Sequence, residues 1–284
     1  MINKETNWTE IISPVNSYWN LKLGELFRYK DLIFLFVKRD FSAVYKQTIL
    51  GPLWLFIQPI FTTLIFFFVF TKIAKIPTSG IDPILFYLAG ITLWNYFSDC
   101  FVKTSNTFVA NATIYGKVYF PRLVIPISIV ISNLIKLGVQ LMVFAVVFIY
   151  KVNFEGLSFS FNATLFFLPV LILLMAILGL GLGIVFSAMT TKYRDFSFLL
   201  AFGIQLLMYA TPIIYPLSYT SGQLHWWISI NPLTPLIENF KFALFGIGHF
   251  DFVGLLYAAC ISVIILFVGI IFFNRVEKNF MDTV

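Results

Sequence analysis

Of 284 residues, 60% are apolar and only 11% are charged, with 19 Lys and Arg against 13 Asp and Glu and a formal net charge of +6. An ordinary soluble domain carries roughly 25% charged residues, so a water-soluble enzyme is excluded, and the wealth of apolar and aromatic side chains excludes disorder. The composition predicts an all-α polytopic membrane protein.

The first 50 residues hold Glu5, Glu10 and Glu25 and have no apolar stretch behind a basic start, which is not the pattern of a cleaved leader. Within them, Trp19 to Phe36 mixes Leu23, Leu26, Phe27, Leu32 and Phe36 with Lys22, Arg28, Lys30 and Asp31. That mixture predicts an amphipathic helix lying in the membrane interface, apolar side in lipid and basic side toward headgroups. Crossing about 30 Å of hydrocarbon takes roughly 20 residues, and six apolar runs meet that length: 53–72, 84–102, 123–150, 163–189, 196–216 and 252–273. The expected organisation is a cytoplasmic N-terminal segment over 1–50, a six-span transmembrane domain over 51–274 and a cytoplasmic tail over 275–284.

Of the 19 Lys and Arg, only Lys72, Lys75, Lys151 and Lys241 fall on the side opposite the N-terminal segment, and Lys136 falls inside the third run. The positive-inside rule then places both termini in the cytoplasm. The basic surplus is thereby explained as topology, without a nucleic-acid partner, and leaves a basic face for anionic membrane lipids.

Polar residues within the runs are the next signal. Gln58 and Thr62 share a face of the first, and Phe202, Gln205 and Tyr209 share a face of the fifth. Rings interleaved with hydrogen-bonding groups suit sugars, whose C–H faces pack on π surfaces while their hydroxyls need partners; helix packing explains the same residues singly. Asp99 has Lys103 four residues on, a spacing that predicts an ion pair along one helix face. Lys136, with Asn133 and Gln140 a turn to either side, costs about 2.5–3.5 kcal/mol at mid-span and must face protein or water. Both a polar stripe in a pathway and a hydrogen-bonded contact between helices satisfy that demand. Gly179, Gly183 and Ser187 have the small-residue spacing of close helix packing.

The connection from Leu217 to Asp251 contains His225-Trp226-Trp227 and then Pro235 to Gly246, with helical spacing at Leu236, Phe240, Ala243 and Leu244. That run is too short to span and predicts a re-entrant or interfacial helix. Cys100 and Cys260 lie in apolar runs, and His225 and His249 stand far apart, so neither a disulfide nor a metal site is expected. No phosphate-binding glycine loop occurs, so any energy source lies on another chain.

From Lys38-Arg39-Asp40 through Gly51-Pro52-Leu53-Trp54 the chain closely resembles the entry to the first span of permeases of polysaccharide-export ABC transporters, the exporters of O-antigen, teichoic acid and capsule. Matching motifs follow in order: Asn106 and Asn111 leading to Phe120-Pro121-Arg122, then Tyr193-Arg194-Asp195, Thr211 to Pro216, and Asn231-Pro232-Leu233-Thr234-Pro235. The long N-terminal segment with Trp8 and Trp19 looks most like the O-antigen (Wzm-type) branch.

The resemblance implies a homodimer of six-span subunits, working with two copies of a nucleotide-binding ATPase that holds ATP and Mg, and no cofactor on this chain. It implies ATPase coupling at Tyr193, Arg194 and Asp195 and at Lys38, Arg39 and Asp40. The anionic head of a lipid-linked polysaccharide would enter at Arg28, Lys30 and Arg39. The glycan would then pass Gln58, Thr62, Phe202, Gln205, Tyr209 and Lys136 and leave at a periplasmic gate of Asn231, Pro232, Glu238 and Phe240. A drug or lipid exporter of the same architecture is the nearest alternative. A membrane-embedded glycosyl- or acyltransferase would need a clustered acid or His/Asp site that the sequence lacks.

Overall fold

The computed structural model describes residues 23–45, 49–118, 120–156, 162–193 and 195–279. Trp8, Trp19, Lys22, Lys46, Arg194 and the last five residues lie outside that set. No strand occurs among the described residues.

Two helices come first, α1 (Leu23–Arg28) and α2 (Lys30–Tyr45), parted only at Tyr29. Leu26, Phe36 and Val37 are buried, while Phe27, Phe34 and Leu35 stay largely exposed. The buried side joins a cluster with Phe108, Tyr115, Phe120, Val124 and Ile125, and the Phe36 and Phe120 rings lie 5.7 Å apart. Lys38-Arg39-Asp40 lies within α2, ahead of the first long apolar stretch.

A 3-10 turn at Gly51–Leu53 leads into α3 (Trp54–Phe66), which ends in a π-helical stretch over Phe67–Ile73. Helix α4 (Pro83–Ser105) starts on Asp82, whose Oδ1 accepts from the Ile84 and Leu85 amides at 3.0 and 3.2 Å, with Pro83 where no amide is needed. Two short helices follow, α5 (Thr107–Ala110) and α6 (Ala112–Tyr115). The asparagines that precede them cause the breaks. Asn106 Nδ2 donates to the Val102 carbonyl and Asn111 Nδ2 to the Thr107 carbonyl, both at 3.0 Å, competing with the backbone ladder four residues back.

The longest helix, α7 (Val124–Glu155), closes on Gly156 at φ +69°, the left-handed cap that glycine adopts without strain. Next come α8 (Leu168–Lys192) and α9 (Phe196–Tyr209). The fifth apolar run was expected to stay helical to residue 216, but it stops at Tyr209. Thr211 turns its hydroxyl back onto the Leu207 carbonyl at 2.6 Å, and Pro212 has no amide to donate. Residues 211–214 are buried, with Ile213 against Gly90 of α4, where an added Cβ would sit 3.1 Å from it. Helices α10 (Gly222–Ile230), α11 (Leu233–Phe245) and α12 (Phe252–Asn279) complete the chain.

Four helical stretches are long and apolar enough to cross a membrane: Gly51–Ile73, Val124–Phe154, Ala163–Lys192 and Phe252–Arg275. Helix α4 has 23 residues, yet Asn95, Asp99 and Lys103 dilute its apolarity. It occupies the centre, with Leu85, Tyr87, Leu93 and Phe97 fully buried. Close packing there depends on the glycines of α8. A Cβ on Gly183 would lie 2.5 Å from Thr104 Cβ, and one on Gly179 would lie 3.0 Å from Cys100 Cβ. Gly181 faces the other way, where a Cβ would meet the Leu266 amide of α12 at 2.8 Å. The small-residue spacing thus brings α8 against α4, as the sequence predicts.

Candidate functional site

Helix ends sort into two groups. At one, Thr190 donates to the Ser105 carbonyl and Ser197 to Asn106 Oδ1 at 2.9 Å. At the other, Lys151 pairs with Asp82 at 3.2 Å, and Ser79 and Ser218 hydroxyls meet at 3.0 Å. Each end carries a cavity.

At the first end, α2, α3, α4 and α7 border a half-open cavity of about 530 Å³, lined by Arg39, Asp40, Trp54, Gln58, Lys103, Asn106, Asn111, Ser132, Asn133 and Lys136 among others. The sequence spacing paired Asp99 with Lys103, but the structure does not. Lys136 Nζ lies 2.8 Å from Asp99 Oδ2, while Lys103 Nζ donates to Asn133 Oδ1 at 2.8 Å. Both bonds run between α4 and α7. An exposed pair along one helix gains only tenths of a kcal/mol, so two partly buried cross-helix bonds outcompete it. Lys136 therefore joins two helices and also lines the cavity. Arg39 and Asp40 pair with each other at 2.7 Å, and the Arg39 guanidinium stacks 4.6 Å from the Phe36 ring.

Residues expected at the entry and passage divide between places. Arg28 and Lys30 are exposed on α1 and α2, and of the three entry residues only Arg39 lines the cavity. Gln58 shares that cavity with Lys136; Thr62 donates to the Gln58 carbonyl at 2.9 Å. Phe202, Gln205 and Tyr209 are exposed on one face of α9 and lie away from the cavity. Tyr193 is exposed at the α8–α9 turn, with Lys192 Nζ 5.2 Å from its ring. Asp195 opens α9, its carbonyl accepting from the Phe198 and Leu199 amides. Arg194, between them, lies outside the described residues.

At the second end a cavity of about 370 Å³ is lined by Ser79, His225, Ser229, Glu238, Lys241, His249 and Asp251 among others. Asn231 ties the start of α11 to the end of α9: its Nδ2 donates to Thr211 Oγ1 at 3.1 Å, and its Oδ1 accepts from the Leu233 amide at 3.1 Å. Pro232 is the residue from which α11 begins. Phe240 is fully buried in the core. Glu238 lies 3.6 Å from Lys241. Lys241 is itself buried, donating to the Pro212 carbonyl at 2.5 Å, with its Nζ 3.7 Å from the Phe86 ring centre. Burial lowers its pKa to about 8, and Glu238 partly opposes that shift.

Sequence reasoning missed Lys103 as a cavity cation and Lys241 as a buried one. The first was legible only as a matched pattern, with Asp99 and Lys103 on α4 and Asn133 and Lys136 on α7. The second carried no signal, because an outer-loop lysine is ordinarily solvated. Among the described residues no group of three or more His, Cys, Asp or Glu could hold a metal.

Four long apolar helical stretches, with a pocket that carries Arg39, Lys103 and Lys136 at one end, are the build of a membrane-embedded protein. Residues 31–245 match the ABC-2 type transporter family, and the chain belongs to it. Members of this family are transport permease subunits, not enzymes. The chain is 28% identical over 263 residues to the O-antigen export system permease protein RfbA of Klebsiella pneumoniae, spanning 92% of this chain and 96% of that protein. It is 25% identical over 267 residues to the protein of the same name from Myxococcus xanthus, spanning 92% and 98%.

Proposed function

We propose that this chain is the transmembrane subunit of an ABC exporter that moves a lipid-linked, O-antigen-like polysaccharide across the bacterial inner membrane. The observation that carries the reading is the end-to-end similarity to two O-antigen export permeases, over 92% of the chain in each case. In this reading α4 and α9 join the four long apolar stretches as spans, giving six, with both termini in the cytoplasm. The N-terminal segment with its interfacial helix covers 1–50, the spans 51–274 and the tail 275–284.

Two copies form the channel. The faces of α3 and α9 that carry Gln58, Thr62, Phe202, Gln205 and Tyr209 support that placement, because in the single chain they are largely open. Sugar rings slide over such a lining without tight binding. ATP and Mg belong to two separate nucleotide-binding subunits. These dock on Tyr193, Arg194 and Asp195 and on Lys38, Arg39 and Asp40. The anionic head of the lipid enters from the same side, past Arg28, Lys30 and Arg39. At the far end Asn231, Pro232, Glu238 and Phe240 belong to the connection that closes the exit. No covalent bond of the glycan changes.

Deletion of the gene tests the reading in the cell. Loss of surface polysaccharide with lipid-linked glycan accumulating inside, both restored by the intact gene, is the expected outcome. Unchanged surface polysaccharide contradicts it.

A further inference from the structure

Helix α9 is held differently at its two ends. Of its 14 residues, Leu200 and Ile204 are buried, while Phe198, Leu199, Phe202, Leu206 and Tyr209 are exposed. At the Phe196 end, Ser197 Oγ donates to Asn106 Oδ1 at 2.9 Å, just past the end of α4. Beyond the Tyr209 end the chain is clamped. Asn231 Nδ2 donates to the Ala210 carbonyl at 3.3 Å and to Thr211 Oγ1 at 3.1 Å. Tyr215 returns its hydroxyl to the Tyr209 carbonyl at 2.9 Å, and the buried Ile213 packs on Gly90 of α4. Lys241 of α11 closes the set. In a helix continued past Tyr209 the residue 216 amide would bond the Pro212 carbonyl, but Pro216 has no amide. A buried carbonyl in that position needs another donor, and the Lys241 ammonium, 3% exposed, provides it at 2.5 Å. The Phe86 ring, its centre 3.7 Å from Nζ, and Glu238 at 3.6 Å hold the ammonium in place.

We propose that Lys241 is a positioning residue for transport: it keeps the Tyr209 end of α9 fixed to α4 and α11, so that α9 swings about that end and moves most at its Phe196 end. A helix fastened to a packed core at one end and lightly held at the other turns about the fastened end, because the core itself does not deform continuously. The Phe196 end follows directly on Tyr193, Arg194 and Asp195. The moving end is therefore the one beside the assigned ATPase contact, a link that rests on the export reading above. Without Lys241 the Pro212 carbonyl loses its donor while still buried, and the pivot loosens. Motion imposed at the Phe196 end is then spent on the 210–215 segment instead of turning the exposed face that carries Phe202, Gln205 and Tyr209.

The test uses the full chain with its ATPase in vesicles and two cysteine pairs. Gly90→Cys with Ile213→Cys bridges the clamp, where an added Cβ lies 3.1 Å from Ile213 Cγ2, close enough for a disulfide. Asn106→Cys with Ser197→Cys, joined by a short bis-methanethiosulfonate, bridges the other end. Bridging yield is read without nucleotide and after trapping with ATP and vanadate, and glycan moved per ATP is read before and after reduction of each bridge. The clamp pair is expected to bridge equally in both states and to transport as well bridged as reduced. The other pair should bridge several-fold less in the trapped state, and its bridge should stop transport until reduced. Lys241→Met should keep ATP hydrolysis but lower glycan moved per ATP several-fold, and the Gly90–Ile213 bridge should restore most of it. Equal bridging of the Asn106–Ser197 pair in both states overturns the proposal, as does transport blocked by the clamp bridge. Lys241→Met that transports like wild type, or that the clamp bridge does not rescue, overturns it too. Bridging yields need no glycan, so a nucleotide-dependent yield without glycan transport by wild type counts against the export reading alone.

Discussion

Lys136 on α7 reaches across to Asp99 on α4, with its Nζ 2.8 Å from Oδ2, although Lys103 stands only four residues from Asp99 on the same helix. The two lysines divide the available acceptors, one taking the carboxylate and the other the Asn133 amide. The result fastens α4 to α7 at two levels along the same cavity wall.

Removing one member of the ion pair leaves the other charge without its partner. Asp99→Asn or Lys136→Gln is expected to lower stability by about 1–3 kcal/mol, below the range for a wholly buried pair because both groups are partly exposed. The double variant loses less than the sum of the two. Thermal unfolding in detergent measures the cycle, and strict additivity contradicts the pairing.

Glycine positions give a built-in comparison. Gly183→Ala places a Cβ 2.5 Å from Thr104 Cβ and is expected to cost about 1–3 kcal/mol by overpacking. Gly138→Ala, where nothing lies within 4 Å, is neutral or stabilising by up to about 1 kcal/mol. Melting temperatures of the two variants should move in opposite directions or at least differ by several degrees.

Lys241 carries a pH signature. Its pKa in the folded chain is lowered to about 8 by burial, with Glu238 opposing the shift, against about 10.4 for an unperturbed lysine. Between those values the unfolded chain holds more protons, so stability rises with pH across that window and is lost again as pH falls through 8. Wild type should gain melting temperature relative to Lys241→Met between pH 8 and pH 10. A flat difference would show that Lys241 stays charged throughout. His225, His249 and Asp251 line the same cavity, which makes the comparison with Lys241→Met necessary.

At the exposed α8–α9 turn, Tyr193→Ala combined with Arg194→Ala should abolish export and loosen the ATPase while leaving the melting temperature unchanged. Co-purification of the ATPase with the variant, alongside a surface-glycan assay, checks this. Unchanged export rules out the assigned contact.

Much of this architecture is legible in the sequence, for identifiable reasons. Apolar run length marks the long helices because hydrocarbon thickness sets that length, and Gly179 and Gly183 announce a close helix approach by spacing alone. Partner choice is not legible. Asp99 meets Lys136 and not Lys103 because of the relative register of α4 and α7, which only the packed structure sets. The end of α9 at Tyr209 was hidden for a related reason: Thr211 to Ile214 are apolar enough to continue a span, yet they leave the helix and Ile213 packs against Gly90. The short helix expected between Pro235 and Gly246 is α11, and its burial, down to Phe240 at 0% exposed, depends on neighbours distant in the chain. The charge balance of the α2–α4–α7 cavity needed both the register and the carboxylate assignments.

Reconstituted transport tests the central claim most directly. Vesicles holding this chain and its ATPase partner, loaded in the outer leaflet with lipid-linked glycan, are given ATP and then a membrane-impermeant glycosidase. The account predicts that glycan becomes protected from the enzyme only when ATP is hydrolysed, through those complexes whose ATPase faces outward. ATPase activity that responds to small amphiphiles, with glycan fully cleaved whether or not ATP is present, would contradict it.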